Sequence, residues 1–361
     1  MAIHFNRDRW EKTKEDARRW WAGELERPLI QIRPWGADPG RPKPKLKDLG
    51  QLSFYDMSVP PEEIIDLCDY QLCGTRFLGD GFPSFLPNFG PGVVAAFMGA
   101  RVETDAGTTW FNPVEECEIT DLRFEYDPDN VWLKRVKDVC RAAIDRWEGT
   151  VQVSMTDLGG NLDVLSTFRP AEKLLLDLYD YPEEVKKRTW EAHEMWWRYF
   201  DEINGVLQPT NPGYSAWASI YSQVPYYMLQ CDFAYMIGPD MFDEFVRPEL
   251  AATCRRLGNS FYHLDGPGQL PHLDSVLSIP ELNGVQWVPG AGVPDERHWP
   301  EVYRKIRDAG KLIQLFGGIP SLEAVSEQLG SAKGIVLTVF GGGDISQQDE
   351  IEEVLRKYGV M

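Results

Sequence analysis

The sequence is short of positive charge, of closely spaced cysteines and of long apolar runs. Against 56 Asp and Glu stand 37 Lys and Arg, a formal net charge of −19 with a pI near 4.7. The basic residues form no cluster of the kind that tracks a phosphate backbone, so nucleic acid is excluded as a partner class. A membrane surface is disfavoured on the same ground. The six cysteines (Cys68, Cys73, Cys117, Cys140, Cys231 and Cys254) are scattered, with no CxxC pair and no dense disulfide framework, and read as reduced thiols. No stretch of about 18 apolar residues occurs. Residues 1–21 carry charges where a signal peptide needs its apolar stretch, so the expectation is a cytoplasmic protein without a membrane partner. There is no repeat of solenoid or propeller period, and no GxGxxG or Walker pattern.

What is present is aromatic mass and regular alternation. The chain holds 13 Trp, 14 Tyr and 17 Phe and is 43% hydrophobic over 361 residues, enough for one elaborated domain spanning 1–361. Clusters such as Trp20-Trp21, Trp196-Trp197 and Pro225-Tyr226-Tyr227 can serve a core, a pocket wall or a subunit interface. A helical extension over 1–27 and a hairpin inserted at 100–120 decorate the domain. Short apolar runs at 28–33, 82–87, 151–156, 224–231, 260–264, 284–288, 312–316 and 335–340 predict eight strands, most of them followed by a helical segment. Eight strands alternating with helices close most naturally into a (β/α)8 TIM barrel, and a doubly wound open sheet is the alternative.

In such a barrel the reactive groups lie where strands end. Residues 260–268 place His263 and Asp265 two apart at the end of the fifth strand, so alternation points both to one side. They can act as base and orienter, or as two ligands of one metal; the plain alternative is a hydrogen-bonded histidine and a turn-capping aspartate. Asp157 and Asp232 follow two other strands, where an aspartate either handles a proton or caps the next helix. Trp287 is expected as a pocket wall, and Tyr262, Arg33 and Asn88 join it as candidate substrate-binding residues near strand ends. The glycines Gly317-Gly318 and Gly341-Gly342-Gly343 suit tight turns or an anion.

Asp232, the segment Met236-Ile-Gly-Pro-Asp-Met-Phe-Asp-Glu-Phe-Val-Arg-Pro248, a helix, a strand ending in His263, and the later Gly341-Gly-Gly343 together resemble the uroporphyrinogen decarboxylase superfamily over about 151–361. That group includes the decarboxylases of haem synthesis and the cobalamin-dependent methyltransferases. Its zinc-dependent thiol methyltransferases carry His-x-Cys after the fifth strand and a further Cys near the last. Here the first motif reads His263-Leu-Asp265, and no Cys stands between Gly341 and Asp344. Asp265 would then replace a thiolate with a harder ligand. The segment Arg27-Pro-Leu-Ile-Gln-Ile-Arg-Pro34 only loosely resembles the arginine-rich stretch of the haem-pathway decarboxylases.

The resemblance implies a methyltransferase-like enzyme acting on a small methoxylated or aromatic molecule. It also implies a divalent metal such as zinc at His263 and Asp265, and a corrinoid carried by a partner protein. A decarboxylase or lyase, a carbohydrate-active barrel and a non-catalytic binding protein are the alternatives, and a homodimer is a further expectation.

Overall fold

The computed structural model describes residues 3–105, 107–339 and 342–361. In chain order its strands are β1 (Leu29–Ile32), β2 (Leu78–Gly79), β3 (Ser84–Phe85), the hairpin β4 (Arg101–Asp105) and β5 (Thr108–Asn112), β6 (Gln152–Val153), β7 (Tyr226–Leu229), β8 (Asn259–Asp265), β9 (Gly284–Val288), β10 (Leu312–Leu315) and β11 (Ile335–Val339). Each run expected as a strand coincides with one, in most cases shorter than the run, although β8 overruns its run by one residue at each end. Phe340, expected to end the last strand, lies outside the described residues, as does Gly341.

The architecture is mixed α/β. Strands β7, β8, β9, β10, β11 and β1 are successive parallel neighbours in one sheet, and β2 adds an antiparallel edge beyond β1. Strands β3 and β6 form a second parallel pair. Among the described residues no ladder joins that pair to the sheet. Hydrogen bonds outside any ladder reach the pair instead: Arg33 Nη1, just beyond β1, donates to Ser84 Oγ in β3 at 3.0 Å, and Val153 N in β6 donates to Asn211 Oδ1, in the segment that precedes β7, at 2.9 Å. Parallel strands need long crossovers, and helices supply them. Pro182–Leu207 lies between β6 and β7, Arg247–Arg256 before β8, Pro300–Asp308 before β10 and Ile319–Leu329 before β11. Several begin with Pro in the first turn, where its missing N–H leaves no bond unmade. Covered on both sides, β1 and β7 are buried at every position.

One end of the sheet is shut by aromatics. Trp20, 1% exposed, stacks on Phe261 at 5.9 Å, and Trp21 packs edge-on against Phe261 and against Tyr226. These rings come from the N-terminal helix Arg7–Trp21 and from the start of β7 and β8, so this is the amino end of the strands. Trp196, Phe200 and Tyr227 cluster between the helix Pro182–Leu207 and β7. The aromatic groups noted in the sequence are therefore core here. Among the described residues no helix is long and apolar enough to cross a membrane.

Candidate functional site

Strand alternation sorts the sheet into two faces. Register pairs His263 with Gln286, Gln286 with Gln314 and Gln31 with Thr338, so these residues share one face. Gln286 and Gln314 are wholly buried, and a buried amide is costly unless its donors and acceptors are met. They are met by one another. Gln314 Nε2 donates to Ala218 O at 2.7 Å, Gln286 Nε2 donates to Gln314 Oε1 at 2.6 Å, and His263 Nδ1 is hydrogen-bonded to Gln286 Oε1. On the far side Thr338 Oγ1 donates to Gln31 Oε1 at 3.2 Å.

At the carboxyl end of this face His263 meets two carboxylates. Asp265 lies two residues on, its Oδ2 4.0 Å from His263 Nε2, just before Gly266 turns the chain at φ 73°. Asp232 opens the short helix Asp232–Met236 after β7, and donor atoms of Asp232, His263 and Asp265 all lie within 4.8 Å of one another. Asp232 is held there from outside. Asp163, on the helix Asn161–Phe168, accepts the backbone N–H of Asp232 at 3.0 Å and of Phe233 at 2.7 Å. An imidazole and two carboxylates converging in this way are a donor set for a divalent cation, with Nδ1 already engaged and Nε2 turned toward Asp265.

The electrostatics agree with a site short of positive charge. Burial raises Asp163, and the nearby Asp232 charge raises it further against its two backbone hydrogen bonds. Burial also raises Asp232, which keeps an exposed edge but is crowded by protein; His263 pulls it down and Asp265 pushes it up. Asp157, beyond β6, is pushed up to about 7, chiefly by burial, although Gly159 N donates to its Oδ1 at 3.0 Å. Arg33, beyond β1, is pulled down to about 10 by burial. Its Nη1 donates to Ser84 Oγ at 3.0 Å, while Nη2 is buried without a partner among the described residues.

Of the residues expected at the site, His263, Asp265 and Asp232 come together. Asp157 and Arg33 stand at carboxyl ends of other strands, and Asn88 spends its Oδ1 on the N–H of Gly90 in a turn. Two others lie on the opposite face. Trp287 is fully buried on the helix face of β9, one step from Gln286, with its ring 5.2 Å from Trp299. Tyr262 faces the same way on β8, 1% exposed, and its hydroxyl donates to Gln269 Oε1. Alternation puts both on the side opposite His263.

Sequence reasoning missed Asp163, Trp217 and the glutamines. Trp217 places its ring edge-on to His263 at 5.0 Å with its indole N–H buried and unpartnered among the described residues, the position expected of Trp287. The glutamines had a signal: Leu-Ile-Gln31-Ile, Val-Gln286-Trp and Leu-Ile-Gln314-Leu each set one amide into an apolar strand. Asp163 had none, because its role is to hold backbone 69 residues away. A cleft of about 340 Å³ adjoins the site, between Asp163, Gln230 and Asp232 on one side and hairpin residues including Trp110 and Phe111 on the other.

No family model matches the chain, and no curated protein matches it. Among solved structures it is similar to a methyltransferase from Methanosarcina mazei, at 11% identity over 94% of this chain and 99% of that one, with a TM-score of 0.59. The likeness extends over nearly the whole of both chains, and at this identity it speaks for the fold.

Proposed function

We propose that the chain is a methyltransferase-like enzyme of the uroporphyrinogen decarboxylase superfamily, built as one closed (β/α)8 barrel with its site at the carboxyl ends of the strands. The observation that carries this reading is the convergence of Asp232, His263 and Asp265 there, in a fold shared with a methyltransferase. Closure is supported by six successive parallel strands, a separate parallel pair, and the hydrogen bonds that tie β3 to Arg33 beyond β1 and β6 to Asn211 ahead of β7.

The three donors fit a divalent cation, zinc among them, because one nitrogen and two carboxylate oxygens converge and, among the described residues, no Lys or Arg pairs with Asp232. Such a cation, when bound, supplies Lewis-acid polarisation of a substrate oxygen or holds its conjugate base. With Asp265 in place of a thiolate the site is harder, and suits a hydroxyl, ether or carboxylate better than a thiol. Arg33 offers a partly unpaired guanidinium to an anionic group of the substrate. Asp157, holding a proton up to about pH 7, can deliver it to a leaving oxygen. Trp217 shields His263 from water.

A corrinoid carried by a partner protein would accept or supply the methyl group. Support for a docking face comes from the exposed Trp35 and Tyr235, 60% and 55% accessible, which follow β1 and β7 at the same end as the site.

Metal analysis of purified protein before and after chelation, alongside methylation of a free corrinoid with methoxylated aromatic donors, tests the reading. Stoichiometric metal lost in His263→Ala supports it, and a metal-free wild type indifferent to chelator sinks the metal site. Asp157 and Arg33 also favour a second reading, a lyase in which Arg33 anchors a carboxylate and Asp157 protonates the carbanion. Carbon dioxide release without methyl transfer would select it.

A further inference from the structure

The donors and acceptors along the buried amide chain have only one consistent direction. It begins at Ala218 O, which can only accept, so the group of Gln314 facing it must be the amide nitrogen, at 2.7 Å. Gln314 Oε1 is thereby turned toward Gln286, which must present its own nitrogen, at 2.6 Å. Gln286 Oε1 is then the atom left for His263, and an oxygen acceptor requires a proton on Nδ1. Reversing any link would set two acceptors, or two donors, against each other in a wholly buried place. The starting carbonyl is itself held in place. Ala218 lies in the loop closed by the bridge between Tyr214 and Ser222, and the next residue, Ser219, sits at φ 55°, a left-handed conformation uncommon outside glycine.

We infer that the Ala218 carbonyl, through Gln314 and Gln286, sets neutral His263 as the Nδ1–H tautomer and leaves Nε2 bare toward Asp265, which makes both glutamines positioning residues. The inference builds on the His263 site proposed above but does not depend on which ligand it takes. A bare Nε2 is the form that can ligate a cation or accept a proton, whereas the other tautomer would offer Nε2–H and could do neither.

The test is the nitrogen spectrum of metal-free protein carrying labelled histidine, at a pH where His263 is neutral. There are five histidines, and the His263 signals are identified by their loss in His263→Ala. The expected result is a protonated Nδ1 and an unprotonated Nε2 in at least about tenfold excess over the other form, the scale set by leaving a buried acceptor unmet. Gln314→Met, similar in volume but unable to carry the chain, should lower that excess several-fold, and Gln286→Met, which removes the oxygen facing Nδ1, should lower it at least as far. A protonated Nε2 in the wild type overturns the inference, as does an unchanged ratio in Gln314→Met.

Should Gln314→Met fail to fold, the wild-type spectrum and Gln286→Met still decide. Zinc titration against a chromophoric chelator adds a second readout, with Gln314→Met expected to bind about 10 to 100-fold more weakly. The expected tautomer ratio in a wild type that binds no zinc would uphold this inference and remove only the metal reading.

Discussion

The two ends of the sheet are built from opposite chemistry. At the amino end Trp20, Trp21, Tyr226 and Phe261 close ring upon ring. At the carboxyl end of the same β7 and β8 stand Asp232, His263 and Asp265, with Asp232 raised by burial. One end gains from burying apolar area and the other retains groups whose desolvation is unfavourable. Stability and function are therefore separated along each strand by a few residues, and substitutions at the two ends should behave differently.

The largest effect is expected at the closed end. Trp20→Ala removes a nearly inaccessible indole from a stacked cluster, which should destabilise by about 3–5 kcal/mol. For a chain of this length that is a fall in Tm of roughly 5 °C. Calorimetry checks it, and a shift under about 2 °C would show that the ring cluster is not what holds this end. Metal affinity of the folded fraction should be unchanged.

Next comes the open end. His263→Ala and Asp265→Ala should each lower kcat/KM by roughly a hundredfold or more, with Tm moving by no more than about 2 °C. Full activity in both variants would place the chemistry elsewhere. An equal loss of stability at both ends would erase the contrast between them.

A smaller effect concerns pH. Burial raises Asp157 from an ordinary 3.8 to about 7, so between those values the folded chain holds a proton that the unfolded chain releases. Its contribution to stability is therefore greatest at the acid side of that window and declines as pH rises to about 7. Tm at pH 6 should exceed Tm at pH 8, and Asp157→Asn, which cannot titrate, should shrink that difference. An identical pH profile in the variant would show that the carboxyl is not held protonated.

The smallest effect separates the two faces rather than the two ends. Trp217→Phe should raise KM several-fold with little change in Tm, whereas Trp287→Phe should lower Tm by a few degrees and leave KM alone. The opposite pattern would return Trp287 to the pocket.

Much of the fold was legible because its signals are local. Gly and Pro punctuation and short apolar runs located the strands, and the paired strands β4 and β5 lie within the hairpin expected at 100–120. The spacing His263-Leu-Asp265 was enough to put both groups on one side, since a strand's period is two. That Asp232 would join them was visible only as an acid following a strand.

What the sequence determined by itself is the order of elements, their alternation and the pairing of groups within one strand, all of which depend on residues a few positions apart. Only the tertiary structure decided which face of β8 and β9 meets helices and which carries the buried amides beside His263. Both faces are largely apolar, so nothing local distinguishes Gln286 from Trp287 as the one beside His263. It also decided that Asp163 would hold Asp232 from 69 residues away, that Trp217 from an irregular segment would cover the imidazole, and that Asp157 would be raised. Desolvation, long-range hydrogen bonds and ring contacts depend on distances in space, and those exist only once the chain has packed.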